Sequence, residues 1–135
     1  MISRFTVLKV LTDLAIIASD DTVFVPDGEE YEPQVGVSYI RDKLRYGADE
    51  SIGNLSSDSD MSRGVYTITV YTPRVNTGGN WQAISITDKL NESFPKFTKV
   101  NDTPRIVLRE TILGEIKVGE THNSLDLDIR FTVIG

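Results

Sequence analysis

The groups in this chain whose types and spacing could do chemistry are a lone histidine, several paired carboxylates, a glycine-rich turn and one basic run. His122 is the single histidine and there is no cysteine, so neither a Cys/His nucleophile pair nor a Cys/His zinc site can be assembled. A Ser–His–Asp arrangement needs only spatial proximity, and serines are plentiful. However, no GxSxG turn is present to expose one as a nucleophile, and His122 in GETHN reads as an ordinary residue of a hairpin loop. The pairs Glu29-Glu30, Asp58/Asp60 and Asp126/Asp128 could hold a divalent ion or move a proton. Against that, DSD lacks the glycine and distal glutamate of a calcium loop. Two-residue spacing at Asp126/Asp128 places both carboxylates on the solvent face of one strand.

Thr77-Gly78-Gly79-Asn80 raises the question of a phosphate cradle. Such a loop needs glycines at fixed spacing followed by Lys and Ser/Thr, so that backbone N–H groups and an ammonium face the anion. Here Trp81 follows, and the stretch reads as a structural turn whose glycines allow positive φ. In YIRDKLRYG, Arg41, Lys43 and Arg45 alternate on one strand face between Tyr39 and Tyr46. Three readings are open for it: a nucleic-acid groove, an edge strand guarded against aggregation, and a contact with an acidic partner.

These groups sit in a chain of 135 residues, 39% hydrophobic and 25% charged, with formal net charge −6. That composition is that of one soluble globular domain, and its acidity argues against affinity gained by neutralising nucleic-acid phosphates. The apolar N-terminal run FTVLKVLTDLAIIA is broken by Lys9 and Asp13, so it reads as neither a signal peptide nor a membrane span. A soluble, cytosolic chain with no membrane partner is expected.

Apolar residues at three- and four-residue spacing predict a helix over 3–19, with Phe5, Leu8, Leu11, Leu14, Ala15 and Ala18 as its stripe and Val7, Val10 and Ile17 widening it. TVFVP predicts a short strand, and QVGVSYIRDKLRYG a second with Val35, Val37, Tyr39 and Leu44 against polar neighbours. Residues 47–63, rich in Ser, Asp and Gly, predict a long mobile loop. GVYTITVYTP is the clearest strand, with Tyr66, Ile68 and Val70 on one face; both faces are β-forming, as in an interior strand covered on both sides. Pro73 ends it. A second helix capped by Asn80 carries Ala83, Ile86, Leu90, Phe94 and Phe97 on one stripe, with Pro95 disrupting its last turn. PRIVLRETILGEIKVG predicts a strand with Ile106, Leu108 and Ile112 on one side and a bend or bulge at Gly114. In SLDLDIRFTVI, Leu125, Leu127, Ile129, Phe131 and Val133 alternate inward against Asp126, Asp128, Arg130 and Thr132. The pattern predicts one α+β domain over 1–135, with a mixed, mostly antiparallel sheet, two helices on one face and a C-terminal β-hairpin.

The run GVYTITVYTPRVNTGGNWQAISITDKLNESF, residues 64–94, resembles the signature of tail terminator (tail completion) proteins of long-tailed bacteriophages. Gly64, Val70, Tyr71, Pro73, Gly78, Ala83, Asp88, Leu90 and Phe94 fall at the matching positions, and the order of flanking elements is similar. Trp81 and the basic RDKLR are not part of that pattern. The resemblance implies a structural virion protein, not an enzyme, with no cofactor. It implies a ring, generally a homohexamer, assembled in the host cytoplasm on the head-proximal end of the tail tube. The expected partners are the chain itself, the major tail tube protein and the head–tail connector, with DNA passing through the lumen without specific binding. Subunit or tube contacts are then expected on the long loop and the basic strand, at Arg41, Lys43, Arg45, Asp58, Asp60 and Arg63. Another ring-forming neck or tube protein is the alternative, and a small hydrolase or ligand-binding domain a further one.

Overall fold

The computed structural model describes residues 4–46, 61–74, 80–102 and 105–134. Helix α1 (Arg4–Ser19) leads into β1 (Val23–Val25), β2 (Tyr39–Tyr46) and β3 (Met61–Pro73). Helix α2 (Asn80–Glu92) follows, then β4 (Lys99–Asp102), β5 (Arg105–Leu113), β6 (Lys117–Val118) and β7 (His122–Ile134). The strands form one sheet in the order β1-β2-β3-β7-β5-β4, with β6 pairing β7 beside that path. Among the described residues only β1–β2 is parallel, and every other pair is antiparallel. The α+β class, the mostly antiparallel mixed sheet and the terminal strand pairing agree with the sequence pattern.

The longest ladder joins β3 to β7 from Met61↔Ile134 to Pro73↔His122. Its register stacks the alternating residues of both strands, so Tyr66, Ile68 and Val70 meet Ile129, Leu127 and Leu125 on one face. That face carries the core, completed by Ile40, Leu44, Ile106, Leu108, Phe131 and Val133. Both helices cover it, through Val7, Leu11 and Ala15 of α1 and Leu90 with Phe94 of the α2 segment. Each fully buried Val, Leu, Ile or Phe among them contributes about 1.5–3 kcal/mol.

The buried line of α1 runs Val7–Leu11–Ala15–Ser19, and Leu8, Val10, Leu14 and Ala18 pack beside it. Phe5 and Ile17, expected on the buried stripe, are 71% and 78% exposed. Two residues along a helix turn about 200°, which sets them opposite Val7 and Ala15. On α2, Ala83, Leu90 and Phe94 are buried as expected. Phe97 lies beyond the helix end, 74% exposed and at φ 58.

β2 corrects its expected register. The chain turns at Gly36 (φ 82), with Val37 N–H donating to Gln34 O at 3.2 Å, and the strand begins only at Tyr39. Its inward residues are Ile40, Asp42 and Leu44, while Val35 is 80% exposed. Likewise the irregularity in β5 falls between Leu108 and Thr111, ahead of Gly114, and carries Ile112 to the face paired with Asp128. Strand β4 was not anticipated, and the strand expected over PRIVLRETILGEIKVG divides around Gly114 into β5 and the short β6. Of the expected 47–63 loop, Met61, Ser62 and Arg63 belong to β3; the rest, Asp58 and Asp60 included, lies outside the described residues, as do Gly78 and Gly79 of the turn.

Candidate interaction surfaces

Asp42 ties the basic strand to the rest of the fold. Its carboxylate, on a residue only 4% exposed, accepts from Thr12 Oγ1 at 2.7 Å, Tyr66 Oη at 2.6 Å and the Asp27 backbone N–H at 2.8 Å. One buried anion thus joins α1, β2, β3 and the turn after β1, with donors saturating it as a buried charge requires. Burial, and then the neighbouring carboxylate, push the Tyr66 phenol far above its ordinary value, so it stays a donor. The sequence reading passed over Asp42 because it sits inside RDKLR; its signal was parity, since it shares a face with Ile40 and Leu44.

The opposite face of the sheet has no helix over it among the described residues. The expectation that β3 is covered on both sides is therefore not met among the described residues: Thr67, Thr69 and Tyr71 are half-buried beside neighbouring side chains. Cross-strand pairs lace this face. Thr67 Oγ1 donates to Asp128 and Thr69 Oγ1 to Asp126, each at 2.7 Å. Arg109 Nε donates to Thr132 Oγ1 at 3.0 Å, and Arg130 to Glu110 at 3.0 Å. Such pairs contribute about 0.2–1 kcal/mol each. Asp126 and Asp128 thus stand on the outer face as the spacing predicts, serving as hydrogen-bond acceptors for threonines. Among the described residues no group of three His, Cys, Asp or Glu side chains could hold a metal ion.

At the β2 start, Tyr39 stacks on Tyr71 with ring centroids 4.4 Å apart, and Tyr31 and His122 lean on Tyr39. His122 is the first residue of β7 and only 6% exposed, not a hairpin-loop residue. Its Nε2–H donates to the Val37 carbonyl at 2.8 Å, because a carbonyl only accepts, and Nδ1 lies 2.9 Å from Thr121 Oγ1. Nε2 thus holds the β2 entry to β7, while Nδ1 is engaged by the neighbouring Thr121.

The other end of the face is basic. Arg45 and Arg130 flank Val65 in one row, Arg63 sits beside Thr132 in the next, and Arg105 is opposite Ile134 in the one beyond. The expected contact residues Arg41, Lys43, Arg45 and Arg63 do share this face. Arg41 is committed locally, donating to Glu29 O at 2.6 Å; Lys43, Arg45 and Arg63 are exposed. Arg105, Arg109 and Arg130 were not singled out by the sequence reading, although the alternation of β7 already turned Arg130 outward.

These features define a small α+β domain with a helix-covered core face and an open, charged sheet face. No family model matches the chain, and no curated protein matches it. Solved structures do share the fold: one superposes with a TM-score of 0.68 over 96% of this chain and 92% of its own, at 16% identity. The name that structure carries states no activity or partner, so the likeness shows the fold alone. Among the described residues no helix is long and apolar enough to cross a membrane.

Proposed function

We propose that this protein is a phage tail terminator, which forms a ring on the head-proximal end of the tail tube, stops tube growth and offers the head connector a docking surface. The observation that carries this reading is the 64–94 signature, whose residues act as one structural unit. Gly64 admits the Phe131 ring, Val70 lies in the core, Tyr71 stacks on Tyr39, and Ala83, Leu90 and Phe94 hold α2 onto the sheet. The signature is thus an architectural one, suited to an assembly protein and requiring no catalytic group. Self-association is further supported by an open sheet face and by exposed Trp81 and Phe97 on the helix side, 83% and 74% accessible. On this reading the protein belongs to the virion, performs no reaction, takes no cofactor and lets DNA pass an acidic ring.

Electron microscopy of particles made without the protein tests the role. Overlong tails lacking heads are expected. Full heads without tails would assign it to the connector instead, and particles of normal tail length would exclude both.

A further inference from the structure

We propose that the arginine end of the open sheet face docks the acidic turn 27–32 of a second copy of this chain, so that copies associate head to tail. This deepens the ring reading and rests on it, by naming the two surfaces that meet.

The basic partner surface is built by register. Arg45, Arg63, Arg105, Arg109 and Arg130 come from four adjacent strands within three rows, a span of about 13 Å along the strands. Glu110, bound to Arg130, stands among them, and Asp102 of β4 is the register partner of Arg105. The side chains of Arg45, Arg63 and Arg105 make no hydrogen bond or ion pair with any described residue. A flat array of guanidinium groups on a rigid sheet is suited to carboxylates, which they can grip bidentately.

The acidic surface is equally fixed. Asp27, Glu29, Glu30 and Glu32 are exposed on a turn held by Glu29 N–H donating to Pro26 O at 3.1 Å and by Gly28 at φ 88. The Asp27 N–H bond to Asp42 and the Arg41 bond to Glu29 O pin the same turn to β2. Only backbone groups of Asp27 and Glu29 are used, so the carboxylates face outward as a preorganised ridge.

A single copy cannot join the two. The ridge is pinned beside Arg41 and Asp42, in the row of Thr69; Arg63 and Arg105 stand further along the strands, in the rows of Thr132 and Ile134, about 20 Å or more away. Two different patches that complement each other make a heterologous contact, the kind that closes into rings. Nucleic acid fits less well. The chain is acidic overall, and the ridge repels a polyanion on approach.

The full chain is compared by sedimentation velocity and native mass measurement at low and high salt with R63E/R105E, with E29K/E30K, and with the chain carrying all four changes. These side chains are exposed, and circular dichroism checks that each variant folds. The wild type is expected to self-associate at low salt and dissociate at high salt. Each reversal alone should weaken association about tenfold or more, and the two together should restore it. Reversals that associate like the wild type, a wild type monomeric at every salt concentration, or a fourfold variant that stays dissociated would each overturn the docking assignment. So would DNA binding that R63E/R105E abolishes, which would give the arginines to a phosphate backbone. Self-association intact in a protein whose absence leaves tails normal would instead refute the terminator role and leave the docking assignment standing.

Discussion

Tyr66 donates its hydroxyl to Asp42 at 2.6 Å beneath the central sheet, pairing a fully buried phenol with a carboxylate on the strand that carries the surface cations. The same strand therefore shows arginine and lysine to solvent while its alternate residue anchors the core. Removing the phenol hydroxyl in Tyr66→Phe should lower stability by about 1–3 kcal/mol, because the carboxylate loses a buried donor. Asp42→Ala should cost at least as much, since Thr12, Tyr66 and the Asp27 N–H all lose their acceptor. In urea unfolding the double variant should be less destabilised than the two single effects added together. Strict additivity would deny the coupling.

Alkaline unfolding reads the same pair. The folded Tyr66 phenol is held above its ordinary value of 10.0 by burial and by Asp42. The stabilisation from keeping it neutral is fully present below pH 10. It is lost as pH rises above 10, where the unfolded chain releases the proton that the folded chain retains. Stability measured through pH 10 to 11 should fall more steeply in the wild type than in Tyr66→Phe. Equal slopes would place the loss elsewhere.

Gly64 shows what the recognised strand signature does physically. A Cβ there would meet the Phe131 ring and sit 2.9 Å from the Arg45 carbonyl. Gly64→Ala should cost about 1–3 kcal/mol through overpacking. Adding Phe131→Leu should recover part of that, because the ring edge is the nearer obstacle. A Gly64→Ala chain as stable as the wild type in thermal unfolding would show that the strands part easily.

Phe97 holds φ 58 with its ring 74% exposed, so strain there gains little from burial. Phe97→Asn, which tolerates the left-handed region, should raise stability by roughly 1 kcal/mol. If ring assembly is lost while the monomer gains stability, the exposed aromatic belongs to an interface.

Much of this architecture was legible because alternation is a strong signal where one sheet face is buried. Leu125, Leu127, Ile129, Phe131 and Val133 read as inward residues and are all buried, and the hydrophobic spacing located both helices. Where the reading slipped, tertiary packing had chosen among residues that the pattern treats alike. Val35 and Val37 look like strand residues, but Gly36 turns the chain ahead of β2. The bulge after Leu108 swaps the faces of β5 without any glycine to announce it. His122 read as a loop residue because its hydrogen bond reaches Val37, 85 positions away. The arginine end was legible only in part. Arg41, Lys43 and Arg45 alternate within one strand, whereas their neighbours Arg105, Arg109 and Arg130 come from strands distant in sequence and are brought alongside by pairing.

A protein that caps a growing tube should change tube elongation when it is present. Purified protein added to polymerising subunits of the major tail tube protein should halt growth at one end and appear there as a ring by electron microscopy. Tubes that lengthen from both ends at an unchanged rate, with no density at either tip, would contradict the account.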